Sequence, residues 1–281
     1  MPLAPLLLSD NLYNQRLYPS HTLVGDEEPA GFEAWHVATG RRTVGDRWQP
    51  ATANAQHILT LTCDRIRWAD TCILDRGHNL SGKEVVLECS DDNFTTTQIV
   101  ADIVLPTVTQ GGPITGAFGV LTEEGAWAVQ FPARPASYWR LRIPAMGTGL
   151  LPQIVGLWLG LSYTPSGGAL WLPWGEDSNT ASFAETVSEW GWAGRGPIAT
   201  PNDGALQIRL ASEFDYELAR YHLIEVFGSG RPMWICYDTA QADRLFLALR
   251  TKTRLGFEYQ PGWWPRQGGL PYVESSPLRI T

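Results

Sequence analysis

The chain has 281 residues, 44% of them hydrophobic and 18% charged, with a formal net charge of -8 and a pI near 5.1. That is enough apolar material for one large β domain or two ordinary ones, and it excludes a disordered chain. The acidic balance excludes a phosphate-tracking surface, which needs clustered basic side chains, so no nucleic-acid partner is expected.

Lysine is scarce and arginine dominates the 21 basic residues, which suits planar contacts to carboxylates and aromatic faces. Thirteen tryptophans beside 28 glycines and 20 prolines point to turn-rich β structure with bulky core or interface side chains. The apolar start, Met1 to Leu8, is short, broken by proline and without a basic lead, unlike a secretory signal. No run approaches the roughly 20 apolar residues of a membrane span, so no membrane insertion is expected and the protein is read as made in a cytoplasm.

Residues 1–33 read as an irregular N-terminal segment with an acidic turn at Gly25-Asp26-Glu27-Glu28-Pro29. Ala34 to Thr39 reads as a first strand, followed by a loop carrying Arg41, Arg42, Asp46, Arg47 and Trp48. His57 to Cys63 and Thr71 to Leu74 read as two strands, and Asp75 to Gly82, with His78 and Asn79, as a loop. Val85, Leu87 and Cys89 alternate with Val86 and Glu88, and Ser90-Asp91-Asp92-Asn93 then supplies turn chemistry. Further strands are expected over Ile99–Leu105, Trp127–Phe131, Tyr138–Ile143 and Ile154–Tyr163. In Trp139-Arg140-Leu141-Arg142-Ile143 the two arginines point outward. With a glycine-rich connection over Gln110–Gly119, this makes about eight strands, spaced as in a sandwich.

Residues 164–204 lose periodicity and form a connector in which Trp171, Trp174, Trp190 and Trp192 must lie against the first domain or another subunit. Residues 205–281 read as a small α+β domain. Leu206 to Leu210 is a strand, and Phe214, Leu218, Tyr221, Ile224 and Phe227 recur at helical spacing after a capping-box-like start. Pro232–Tyr237, Arg244–Lys252 and Leu255–Tyr259 are expected strands, and a loop follows with Trp263 and Trp264.

No nucleophile elbow, zinc-protease helix, complete P-loop or dinucleotide fingerprint is present. Adjacent acids at Glu27-Glu28, Asp91-Asp92, Glu123-Glu124 and Glu176-Asp177 point apart on turns and read as solvated; a pair brought together from distant loops stays open. Cys63, Cys72, Cys89 and Cys236 read as reduced, buried thiols, and neither they nor His21, His36, His57, His78 and His222 show ligand spacing. No catalytic residue, metal or cofactor is expected. His222 reads as lying off the apolar stripe, toward the surface or a partner. Asp26, Glu27 and Glu28 match no defined calcium loop.

The strand ending in Ser90-Asp91-Asp92-Asn93, followed by Tyr138-Trp139-Arg140-Leu141-Arg142-Ile143 and then by Ile154 to Gly160, resembles the discoidin-like, galactose-binding-like jelly roll over residues 34–163. That resemblance implies a mainly β protein, jelly roll first and α+β domain second. It also implies a sugar site at the loop end, built from Arg41, Arg42, Asp46, Trp48, His78 and Asn79, with Trp48 stacking a pyranose; the alternative for Trp48 is a plug closing the end of the sandwich. The run Phe214 to Asp238, with Gly228-Ser229-Gly230-Arg231-Pro232 and Met233 to Asp238, resembles tail-tip and baseplate components. As a whole the chain resembles a tail structural protein of a long-tailed bacteriophage. This implies a non-enzymatic virion ring protein, partnered by copies of itself and other tail proteins through Trp171, Trp174, Trp190, Trp192, Trp263 and Trp264, with the jelly roll placed to contact a host cell-surface glycan. The competing readings are a carbohydrate-binding module, or the binding part of a polysaccharide hydrolase.

Overall fold

The computed structural model describes residues 6–38, 46–75, 77–80, 82–104, 117–119, 126–165, 169–170, 183–187, 193–197, 203–210, 217–222, 232–236, 245–250, 257–258 and 266–274. It is mostly β, with a sandwich in its first part. The strands of that part are β1 (Leu6–Leu8), β2 (Thr22–Gly25), β3 (His57–Leu74), β4 (Glu84–Ser90), β5 (Gln98–Val104), β6 (Ala117–Gly119), β7 (Trp127–Ile143) and β8 (Leu157–Gly160).

Two long strands organise the sandwich. The expected pairs His57–Cys63 with Thr71–Leu74, and Trp127–Phe131 with Tyr138–Ile143, are the two ends of β3 and of β7. These strands pair antiparallel from His57↔Ile143 to Leu74↔Trp127, with register shifts between Thr62 and Arg67 and between Ala69 and Thr71. Extra residues at such shifts break the ladder and bend the strand, so β3 and β7 cross from one sheet to the other. Their first-sheet ends lie in the order β2-β3-β7-β4-β5; their other ends pair with β8 and β6. Between the sheets sit Leu59, Leu61, Leu87, Trp139 and Leu141 from the front, with Cys72, Leu74, Trp127, Val129, Leu157 and Leu159 from the back.

The back sheet is buried on its outer side too. Ile73, Ala128 and Trp158 face a second cluster made with Leu6, Leu8, Trp234, Cys236 and Leu247. The last three lie on β13 (Met233–Cys236) and β14 (Leu245–Arg250). Chain order is completed by β9 (Ala169–Leu170), β10 (Phe183–Val187), β11 (Ala193–Pro197), β12 (Asp203–Leu210), β15 (Phe257–Glu258) and β16 (Arg266–Glu274). The covering sheet runs β1-β13-β14-β16-β12-β9 and forms a third layer over the sandwich, while β10 and β11 pair only with each other. Trp158 meets Trp234 edge to face at 6.4 Å; such pairs contribute about 0.5–1.5 kcal/mol beyond their area burial.

Three expectations change. The N-terminal segment supplies β1, which pairs with β13 (Leu6↔Cys236, Leu7↔Ile235, Leu8↔Trp234), and β2 at the edge of the front sheet. It continues along β8, where Asn11 Nδ2 donates to Leu157 O (3.1 Å) and Leu159 N donates to Asn11 Oδ1 (3.3 Å). Ala34–Ala38 is a 3-10 helix and no strand, because Pro29 and Glu33 carbonyls accept from Phe32 N and His36 N and wind the chain tightly. Of the expected helix the described part is 217–222, which passes from α to π geometry at 220–222. That wider winding shifts the helical wheel. His222 is buried, its Nδ1 2.8 Å from Ser9 Oγ and its ring stacked on Tyr163, while Tyr221, expected on the apolar stripe, is exposed. Burial lowers its pKa to about 4. All four cysteines are free and buried, and burial pushes the Cys63 and Cys72 thiols up to about 12.

Candidate functional site at the loop end

At one end of the sandwich the connections 26–56, 75–83 and 144–156 are fastened to one another. Trp48 and Ile154 exchange backbone bonds of 2.9 and 3.1 Å, and Asp75 N donates to Gly156 O at 2.8 Å. Asn79 mimics a strand partner: its Nδ2 donates to Leu151 O and its Oδ1 accepts from Gln153 N, both at 2.8 Å. Lys83 Nζ caps Met146 O at 3.0 Å.

This geometry changes the expected sugar site. Trp48 is 0% exposed, its indole edge-on to His57 and so close to Gly25 that a Cβ there would lie 2.5 Å from Trp48 Nε1. It plugs the sandwich and cannot stack a sugar. His78 is buried, its Nδ1 accepting from Leu80 N, and Asn79 is committed to the 151–153 segment. Trp48, His78 and Asn79 thus meet at one end of the fold, as fastenings. Arg41 and Arg42 lie outside the described residues, as do Trp171, Trp174, Trp190, Trp192, Trp263 and Trp264. The acidic turn is tied to backbone: Glu28 accepts from Gly25 N, Glu27 from Thr52 N, and Asp26 from Ile58 N. Bonds from the Thr52 side chain and backbone hold the Glu27 carboxyl below its usual range. Among the described residues no His, Cys, Asp and Glu group is placed to hold a metal.

The aromatic surface at this end belongs to Trp35, which is 46% exposed on the 3-10 helix. One face of its indole is stacked on His36 at 3.9 Å. The His36 ring is gripped on both sides, Nε2 lying 3.1 Å from Glu33 Oε2 and Nδ1 3.3 Å from Asp46 Oδ1. Glu33 also accepts from Gly31 N, and such backbone bonds hold its carboxyl below the usual range. Beside it the Arg47 guanidinium lies 5.3 Å over the Phe32 ring. Asp46 is the expected site residue that joins this group. The signal in the sequence is a tryptophan between Glu33 and His36 just after a Pro-Ala-Gly turn, in a run whose composition mimics a strand.

The outer face of the front sheet is a second polar surface. Val24, Thr60, Arg140, Glu88 and Ile99 stand side by side across five strands. Glu88 is buried beneath Arg140 and Arg142, both of which it pairs with. The arginines face outward as expected.

No protein-family model and no curated protein matches the chain. Among solved structures it is similar to chitosan-binding module 1 of a chitosanase/glucanase from Paenibacillus sp. IK-5, at 18% identity and a TM-score of 0.40, over 53% of this chain and 98% of that one. It is also similar to the CpGH89CBM32-6 module of Clostridium perfringens, at 11% identity and a TM-score of 0.40, over 55% of this chain and 99% of that one. A third likeness is to the family 32 carbohydrate-binding module of C. perfringens NanJ, solved with galactose, at 12% identity and a TM-score of 0.38, over 51% of this chain and 93% of that one. None of these carries the phage-tail expectation. Likenesses so distant say nothing of this chain's ligand; the sandwich stands on its strand order and core.

Proposed function

We propose that this is a non-catalytic carbohydrate-binding protein whose loop end takes a sugar ring on the free face of Trp35. The observation that supports it is the exposed indole backed by His36, with Glu33 and Asp46 at its flank to bond hydroxyls. An aromatic face with a few fixed polar groups is what orients a small polar ligand. Glu33 and Asp46 grip the same imidazole; general acid and base work would need them across a gap with the substrate between. The competing proposal, a ring subunit of a phage tail, has no observation in its favour within the described residues.

The test is calorimetric titration of the full chain with D-galactose, D-glucose, N-acetyl-D-glucosamine and chitosan oligosaccharides. Trp35→Ala is expected to weaken binding at this end about tenfold, the value of roughly 1.4 kcal/mol of lost stacking, with the melting temperature unchanged. Undiminished affinity in the variant, or glycan turnover abolished by Glu33→Gln, would overturn the reading.

A further inference from the structure

The opposite end of the sandwich, where β3 and β7 bend between sheets, holds a cleft of about 310 Å³ lined by Ser90, Asp91, Thr96, Gln98, Arg134 and Pro135. Its volume sits at the low end of the range for small-molecule sites, roughly 300–1,000 Å³, which suits a single ring more than a chain.

The polar wall is held in place from behind. Ser90 Oγ accepts from Phe94 N at 2.9 Å, and Thr96 N and Oγ1 both donate to the Asp92 carboxylate. Those Thr96 bonds, with one from Ser90, hold the Asp92 carboxyl down to about 2. Asp91 Oδ1 accepts from Ser137 N at 3.3 Å, which ties the turn to β7. Arg134 Nη1 donates to Gln98 Oε1 at 3.3 Å, one bond from a group with five N–H donors.

An aromatic surface adjoins this wall independently. Trp68 is 55% exposed and stands directly opposite Pro135 in the β3–β7 ladder; opposed residues have Cβ atoms about 5 Å apart. Pro135 lines the cleft, and the indole is its neighbour across the ladder. Guanidinium, amide, hydroxyl and carboxylate together supply donors and acceptors side by side, which is what vicinal hydroxyls need. The charges of Arg134 and Asp91 balance, and Asp91 would repel an anion.

We propose that this cleft is a second saccharide site, for a neutral pyranose, so that the chain holds sugar residues at both ends of one sandwich. It does not depend on the Trp35 site. The test titrates the full chain with D-galactose, D-glucose and N-acetyl-D-glucosamine, and with inorganic phosphate, in the Trp35→Ala background. That chain is expected to keep sugar binding at the bend end, weakened about tenfold by Arg134→Ala or Trp68→Ala, both exposed positions. NMR of the unsubstituted chain is expected to shift the Thr96 and Gln98 amides on sugar addition.

Sugar affinity unchanged by both added substitutions, no sugar binding in the Trp35→Ala chain, or phosphate displacing sugar would each overturn the proposal. If Trp35→Ala changes nothing while Arg134→Ala abolishes all binding, the loop-end reading fails and the bend-end one stands.

Discussion

The two halves of β3 and β7 belong to one pair of strands yet are written in different alphabets. On the front sheet Leu59 and Leu61 are buried and Ile58, Thr60 and Thr62 only half-buried; on the back sheet Thr71 to Leu74 and Trp127 to Val129 are buried without interruption. The front half has water on one face and so alternates. The back half lies between the sandwich core and the sheet of β1, β13 and β14, and so reads as a continuous apolar run. What a strand's sequence reports is how many of its faces are covered.

The largest test of that contrast is on the back sheet. Trp158→Ala is expected to cost about 3–5 kcal/mol in urea unfolding, since the indole fills a core shared by two sheets. A loss under ~1 kcal/mol would mean the third layer contributes little.

Acid attacks the same junction through His222. Its pKa falls from 6.5 to about 4 on burial, so between those values the unfolded chain binds the extra proton. Stability is complete above pH 6.5 and declines by at most about 3 kcal/mol as the pH drops to 4, then levels off. Urea midpoints at pH 7 and 4.5 measure this, and His222→Asn should flatten the difference.

On the front sheet Glu88→Gln is expected to cost about 1.5–3 kcal/mol, the usual worth of a bond to a charged group, because Arg140 and Arg142 lose their common partner. Smallest of all, Thr60→Ala on the same outer row should move the melt by no more than about 0.5 kcal/mol.

The alternating strands were readable because a half-buried sheet imposes period two on residues such as Val85 to Cys89 and Trp139 to Ile143. The bends were not, because residues 64–66 and 132–133 look like gaps between strands when they lie within β3 and β7 at their register shifts. Trp35 and Trp48 are the same side chain with opposite fates. Trp48 is drawn inside by its pairing with Ile154, a distant contact no local pattern records, while Trp35 is turned out by a tight helical turn that mimics a strand in composition. Likewise Leu6 to Leu8 shows its apolar character locally, but its partner strand is visible only in the folded chain.

That partnership has a cost in time. Ribosomes add about 5–20 residues per second, so Leu6 waits roughly ten seconds to most of a minute before Cys236 emerges to pair with it. Throughout that delay the outward side of the nascent back sheet, Trp158 and Ile73 included, is greasy and open to whatever holdase or neighbouring nascent chain is nearby. A recombinant fragment stopped after residue 165 would be frozen in that state, and its solubility would reveal how much the late-arriving strands protect.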